Sequence, residues 1–241
     1  MADWEDFFSY INTEVSSKFY PVEGIYYHEA LMALHGLMQP TTYLEIGIFE
    51  GDTLRLSSAP RTIGVDPDPQ LDQTIEKATI YKLSSNEFFD EKAKNVFYNQ
   101  LIDLAFIDGL HYFDQVLKDF INTERFCHSQ SVIVLHDVLP RNFLEASPVR
   151  VTGSWAGDVW RLIPCLHKYR PDLRISVIDT APTGLAIIQG LDASNTFLPD
   201  NYSELVEELK QVNTLQFLEA RDLIMHTIPS NVFFLNFFLD K

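Results

Sequence analysis

Two short stretches carry side chains that could do chemistry. Leu104-Ala-Phe-Ile runs directly into Asp108-Gly-Leu-His111, and Val132-Ile-Val-Leu runs into His136-Asp137. Each apolar run reads as a buried strand, so the polar groups fall just past a strand's carboxyl end. Open α/β sheets bind their ligands there. Two carboxylates with one or two imidazoles can hold a divalent ion. The same set can move a proton. The plainer readings are that Asp108 and Asp137 cap the loops that follow, that His111 bonds the backbone at a helix start, and that His136 only orients Asp137.

A third stretch, Tyr43-Leu-Glu-Ile-Gly-Ile-Phe-Glu-Gly-Asp-Thr53, reads as a strand over Thr42–Ile46, a loop with Gly47 and Gly51, and a helix from about Asp52. A glycine loop between strand and helix brings backbone close to a nucleotide-like ligand. Glu45 would repel a pyrophosphate and welcome a cation, and a carboxylate on an apolar strand needs a partner. Its plainer role is a local loop or cap carboxylate. Asp66 closes a second strand, Ile63-Gly-Val-Asp66, at the ~20-residue spacing of an acceptor for ribose hydroxyls. A dinucleotide fold would want Gly-x-Gly-x-x-Gly, but Phe49 stands where its middle glycine belongs.

Alternating elements must position these groups. Apolar runs predict strands over Thr42–Ile46, Thr62–Val65, Thr79–Leu83, Leu104–Ile107, Ser131–Leu135, Arg174–Ile178 and Leu185–Ile188. Helical patterns fall at 3–19, 23–38, 52–58, 85–93, 112–127, 155–170 and 201–226. The alternation predicts a mostly parallel sheet between helical layers. Thr180-Ala-Pro-Thr-Gly184 reads as a hairpin turn and predicts an antiparallel strand at the sheet's edge. The chain reads as a single domain over 1–241: a helical cap over 1–40, a ligand-binding core over 41–190, and a helical extension over 191–241. Its last stretch, Val232-Phe-Phe-Leu-Asn-Phe-Phe-Leu239, should seal the core or form a homodimer contact, because such a patch is seldom left exposed.

Taken together, these stretches resemble the class I S-adenosylmethionine-dependent O-methyltransferases over about residues 23–190. The nearest pattern is that of small bacterial members whose fourth strand ends Asp-Gly-x-His and whose fifth ends His-Asp. The resemblance implies a three-layer Rossmann-like fold with a seven-stranded, mostly parallel sheet and an antiparallel edge strand. It also implies that strands four and five are neighbours, so that Asp108, His111, His136 and Asp137 converge. In the catechol-type branch the loop reads Glu-x-Gly-x-Tyr-x-Gly-x-Ser; Glu45, Gly47, Phe49, Gly51 and Thr53 follow it, with Phe49 and Thr53 as near-equivalents. The likeness assigns these residues to S-adenosylmethionine, with Asp66 on the ribose, Ser84 or Ser85 beside the adenine, and Asp108 at the reacting end. Ser84 also suits a plain helix cap, with Glu87 completing a capping box.

That branch holds Mg²⁺ with an aspartate after strand four and an Asp-Asn pair after strand five. Asp108 and Asp137 match two of the three, and Val138 replaces the Asn, so His136 or water would have to complete a divalent site. Its catalytic lysine falls where His111 stands, which implies His111 as general base with Asp108 beside it. Imidazole suits that task, with an ordinary pKa of about 6.5. Tyr27 and His28, ahead of the sheet, would cover the ligand. Trp155, Asp158 and Trp160, in the stretch Gly153–Arg161 whose Gly-Asp-Val-Trp run the resemblance shares, would suit a polar ring or sugar-like acceptor. The alternative is that Tyr27 and His28 pack on the sheet and that Trp160 is buried at a helix start.

Composition narrows the partners. Apolar residues make up 46% and charged residues 22% of 241 positions, a globular balance. A net charge of −16 leaves no basic face for nucleic acid or an anionic membrane surface. Two cysteines make no disulfide scaffold, and the acidic start Met-Ala-Asp-Trp-Glu-Asp lacks the features of a signal peptide, so a cytoplasmic setting is expected. The expected substrate is a small-molecule hydroxyl. The rivals are N-methylation on the same fold and a non-catalytic ligand-binding or assembly protein. Fold and cofactor motifs alone do not name the acceptor.

Overall fold

A computed structural model describes the backbone over residues 18–239 and side chains through Leu235. Helix α1 (Tyr27–Met38) is followed by β1 (Thr42–Ile46), α2 (Asp52–Leu56), β2 (Arg61–Val65), β3 (Ala78–Tyr81), α3 (Ser85–Glu91), α4 (Ala93–Val96) and β4 (Ile102–Ile107). Then come α5 (Phe113–Glu124), β5 (Cys127–His136), a 3₁₀ turn at Val159–Arg161, α6 (Leu162–Tyr169), β6 (Arg174–Ile178) and β7 (Leu185–Gln189). Five further helices run from Phe197 to Leu239.

The seven strands form one sheet in the order β3-β2-β1-β4-β5-β7-β6. The first five are parallel, and β7 is antiparallel to both β5 and β6. The expected hairpin therefore forms, with β7 tucked against β5 and β6 outermost. Both faces of the central strands are buried, which explains their continuous apolar runs. Alternate residues go to opposite layers. Ala105, Ile107, Ile133 and Leu135 pack with α5 and α6, while Leu104, Phe106, Val132 and Val134 pack with α1 and α2.

Element ends depart from the pattern where side chains or glycines intervene. The helix expected from 23 begins at Tyr27, because Gly24 and Tyr27 donate their amides to the carbonyls of Asp179 and Ala181, stitching 24–27 onto the β6–β7 hairpin. The helix expected over 201–226 is three shorter ones, Tyr202–Lys210, Thr214–Glu219 and Arg221–Met225. The Asn213 side chain caps the second by accepting from the amides of Leu215 and Gln216. The helix expected over 3–19 lies almost wholly outside the described residues. The last helix, Ser230–Leu239, buries Phe234 against α1 and the sheet, so the described part of the aromatic tail seals the core. Among the described residues no helix is long and apolar enough to cross a membrane.

Register decides what the sheet presents. Ile46 pairs with Val65 and with Ile107, and Ile107 pairs with Leu135. The next residue on each strand is Gly47, Asp66, Asp108 and His136. Four chain segments far apart in sequence therefore leave the sheet along one edge.

Candidate active site

A cavity of about 640 Å³ opens along that carboxyl edge. Its wall begins with the loop after β1. Gly47 has φ +84°, and a Cβ there would stand 2.1 Å from the carbonyl oxygen of Asp108, so only glycine lets β1 pass so close to β4. Phe49 adopts φ +48° and exposes its ring at the rim. Asp66 holds this turn: one oxygen accepts from the amides of Ile48 and Phe49 at 2.8 and 3.0 Å, and the other accepts from the amide of Asp68. Its carboxylate still lines the cavity.

Glu45, Gly51 and Thr53 do not reach the cavity wall. Glu45 is buried inside β1, where Tyr43 and Thr53 donate their hydroxyls to its two oxygens at 2.7 and 2.6 Å. Burial pushes its carboxyl up to about 8, against the pull of those two hydrogen bonds. It ties α2 to the strand and so sets the loop between them. Gly51 turns that loop at φ +79°.

The cavity holds two polar clusters. In the first, Ser84 and Glu87 form the reciprocal capping box of α3. Ser85 accepts from Gln115 Nε2 at 3.1 Å, and the same amide donates to Asp119 at 2.8 Å. Burial pushes the Asp119 carboxyl up to about 6, with the Ser85 and Gln115 hydrogen bonds opposing.

The second cluster is the quartet from β4 and β5. His136 Nδ1 lies 3.2 Å from Asp108 Oδ1 and 3.7 Å from Asp137 Oδ1. His111 places Nδ1 3.1 Å from Asp137 Oδ2 and Nε2 3.5 Å from Asp108 Oδ1. Asp137 is in the left-handed region at φ +61°, a conformation that costs energy outside glycine and turns its carboxylate toward His111. Burial would raise the Asp108 carboxyl, but His136 and His111 hold it well below the carboxylate range. Burial would lower the imidazole of His111, yet the two carboxylates and the Trp155 carbonyl push it up to about 9. His136 is likewise raised, its burial outweighed by Asp108 and Asp137.

One donor atom each from Asp108, His111 and Asp137 lie within 4.8 Å of one another, a spacing that one divalent ion can bridge. His136 is outside that trio, turned between Asp108 and Thr183. Val138 is fully buried and offers no ligand.

The Gly-Asp-Val-Trp run braces this cluster. Gly157 has φ +62°, and a Cβ there would meet the His111 carbonyl oxygen at 1.9 Å. Asp158, buried, accepts from the Phe113 amide at 2.7 Å and caps α5 from 45 residues away. Trp160 lies in the core, stacked on Phe217 at 3.7 Å between ring centroids. Trp155, two residues ahead of that run, is the residue that meets the site: its ring stacks on His111 at 5.3 Å, and its carbonyl accepts from His111 Nδ1 at 2.7 Å. Tyr27 stacks on His136 at 4.3 Å, and His28 packs edge-on against Tyr27, both behind the cavity wall.

Sequence reasoning did not single out Gln115, Asp119, Arg150 or Thr183. Thr183 donates to Asp137 Oδ1 at 2.5 Å and sits 3.4 Å from His136 Nε2. It reaches them from the β6–β7 turn, and no local motif marks it. Gln115 and Asp119 do share one face of α5 at i, i+4, the only hint the sequence offers.

Comparison with known proteins bears on the fold that carries this site. Residues 44–138 match the family model described as a methyltransferase domain. No curated protein matches the chain. Among solved structures, the O-methyltransferase TomG from Streptomyces achromogenes, involved in tomaymycin synthesis and in complex with S-adenosylmethionine, is 16% identical with a TM-score of 0.53, over 69% of this chain and 80% of that one. The SAH-bound methyltransferase PaMTH1 from Podospora anserina is 12% identical with a TM-score of 0.51, over 69% and 78%. At such identities the likeness is one of fold. The family match over 44–138 falls on the glycine loop, Asp66 and the Asp108–Asp137 edge, so this part of the chain is similar to a methyltransferase domain.

Proposed function

We propose that the protein methylates an oxygen of a small-molecule hydroxyl. The observation that carries this reading is the quartet itself: two carboxylates and two imidazoles gathered beside the glycine loop, where a hydroxyl needs a proton acceptor and an in-line methyl donor. The acceptor oxygen bonds to the methyl carbon as the carbon–sulfur bond breaks; its proton leaves to a base and the sulfur keeps the electron pair.

His111 is the proposed base. Its Nδ1 donates to the Trp155 carbonyl, so the atom left to take the proton is Nε2. Asp108 and Asp137 then stabilise the imidazolium, which is why the imidazole is pushed up to about 9. Asp66 is proposed to receive the ribose hydroxyls through lone pairs the loop amides leave free, and Ser85 with Asn86 and Gln115 to meet the adenine edge. Glu45, Gly47 and Gly51 shape the loop. Tyr27, His28 and Trp155 wall the acceptor end through His136 and His111.

Alternatively, a divalent ion fits beside Asp108, Asp137 and His111; His111 Nε2 would then be a ligand rather than the base. Bound there it would supply charge that lowers the pKa of the acceptor hydroxyl. A mixed oxygen and nitrogen donor set suits Mn²⁺, Fe²⁺ or Zn²⁺ better than Mg²⁺. Calorimetric titration with S-adenosylhomocysteine, with and without each metal, tests the reading. Micromolar binding is expected; no binding in any condition would sink it.

A further inference from the structure

Among the residues lining the cavity, Arg150 is the one with a fixed positive charge. Four aspartates share that lining, and each is occupied: Asp66 with three loop amides, Asp119 with Gln115, Asp108 and Asp137 with the two imidazoles. Arg150 differs. Among the described residues no carboxylate stands at ion-pair distance from it; its guanidinium meets only the Gly153 carbonyl at 3.4 Å and the face of Trp155, 5.9 Å from the ring centroid.

Trp155 makes that placement specific. Its indole N–H donates to the Ser147 carbonyl at 2.7 Å, while its own carbonyl and ring hold His111. One pinned indole therefore spaces the guanidinium from the proposed base by no more than a small molecule's length. We infer that Arg150, set against Trp155, is an anion subsite, and that the methyl acceptor is a hydroxy acid whose carboxylate it grips. Arginine suits this task because its planar fork matches a carboxylate bidentately. In a chain of net charge −16, an anionic acceptor is repelled at long range, so a local cation is what would admit it. The inference rests on the methyltransferase reading of the cavity.

The test uses the full chain, its Arg150→Gln variant and its Arg150→Lys variant. Each is first titrated with S-adenosylhomocysteine. Each loaded protein is then titrated with 4-hydroxybenzoate, 3,4-dihydroxybenzoate and lactate, and with their amides. The parent should bind at least one acid about tenfold or more tightly than its amide. Arg150→Gln should erase that difference, Arg150→Lys should keep part of it, and cofactor-product affinity should stay the same in all three. Amides binding as well as acids, or no acid binding the loaded parent, would overturn the subsite. So would an equal loss of S-adenosylhomocysteine affinity in Arg150→Gln, since the guanidinium would then serve the cofactor's own carboxylate. A parent that fails to bind S-adenosylhomocysteine would overturn the underlying reading instead.

Discussion

Two charge clusters sit at opposite edges of the same sheet. At the amino edge of β5 and β6, Arg170 is almost fully enclosed and makes two hydrogen bonds to Glu124, at 2.8 and 2.9 Å, and three to Asp172, at 2.8 to 3.0 Å. The Asp192 amide adds a further bond to Glu124. At the carboxyl edge, Asp108, His111, His136 and Asp137 meet at 3.1 to 3.7 Å, with Asp137 in a left-handed conformation and a cavity alongside. In the first cluster all three guanidinium nitrogens of Arg170 are hydrogen-bonded, and Arg170 and Glu124 are buried while Asp172 reaches solvent. The second is looser, and Asp108, His111 and His136 are pushed away from their ordinary pKa values in front of an opening. Closed geometry marks a brace between chain segments; a looser cluster that lines a cavity marks a site.

Substitutions can break that contrast. His111→Ala should slow methyl transfer by about 10²–10⁴-fold while the fold and cofactor binding persist. The parent's rate should rise with pH toward about 9, because an imidazole raised to that value still carries its proton at neutral pH and must lose it to act as base. Steady-state rates across pH 6 to 10 check both points, and a flat parent profile would place the base elsewhere. Arg170→Met should do the reverse. It leaves Glu124 buried and unpaired and should cost about 3–5 kcal/mol of stability, read by urea unfolding, with little change in rate per folded molecule.

Finer substitutions sharpen the site side of the comparison. Asp66→Ala should weaken S-adenosylhomocysteine binding by about 10–100-fold by calorimetry, through loss of the proposed ribose contacts and a loosened loop. An unchanged affinity would remove Asp66 from the cofactor. Thr183→Val should lower kcat by about tenfold with KM nearly unchanged, and Thr183→Ser should restore it, because the hydroxyl donates to Asp137 and the methyl contributes only packing. Equal loss in both variants would make Thr183 a packing residue.

Much of the fold was legible because its signals are local. The strand runs are continuous and apolar since both faces of the sheet are covered, and the Gly47–Gly51 loop shows itself by spacing. The long helices predicted over 23–38 and 201–226 were overdrawn for a tertiary reason: the hairpin captures the backbone of 24–27, and the Asn213 cap restarts a helix that periodicity alone would continue. The Gly-Asp-Val-Trp run shows the same limit at the site. It reads as a place where something binds, but burial sends Asp158 to an α5 cap and Trp160 to the core, while the ring stacked on His111 is that of Trp155, just ahead of the run.

By itself the sequence determined which side chains end β1, β2, β4 and β5, and with them the chemistry on offer. Strand order and register decided that Gly47, Asp66, Asp108 and His136 leave the sheet side by side. Only the folded chain could bring Thr183 to Asp137 and place Arg150 on the indole that holds His111. Those contacts join residues from separate elements, and their geometry depends on how whole layers pack rather than on any local pattern of residues.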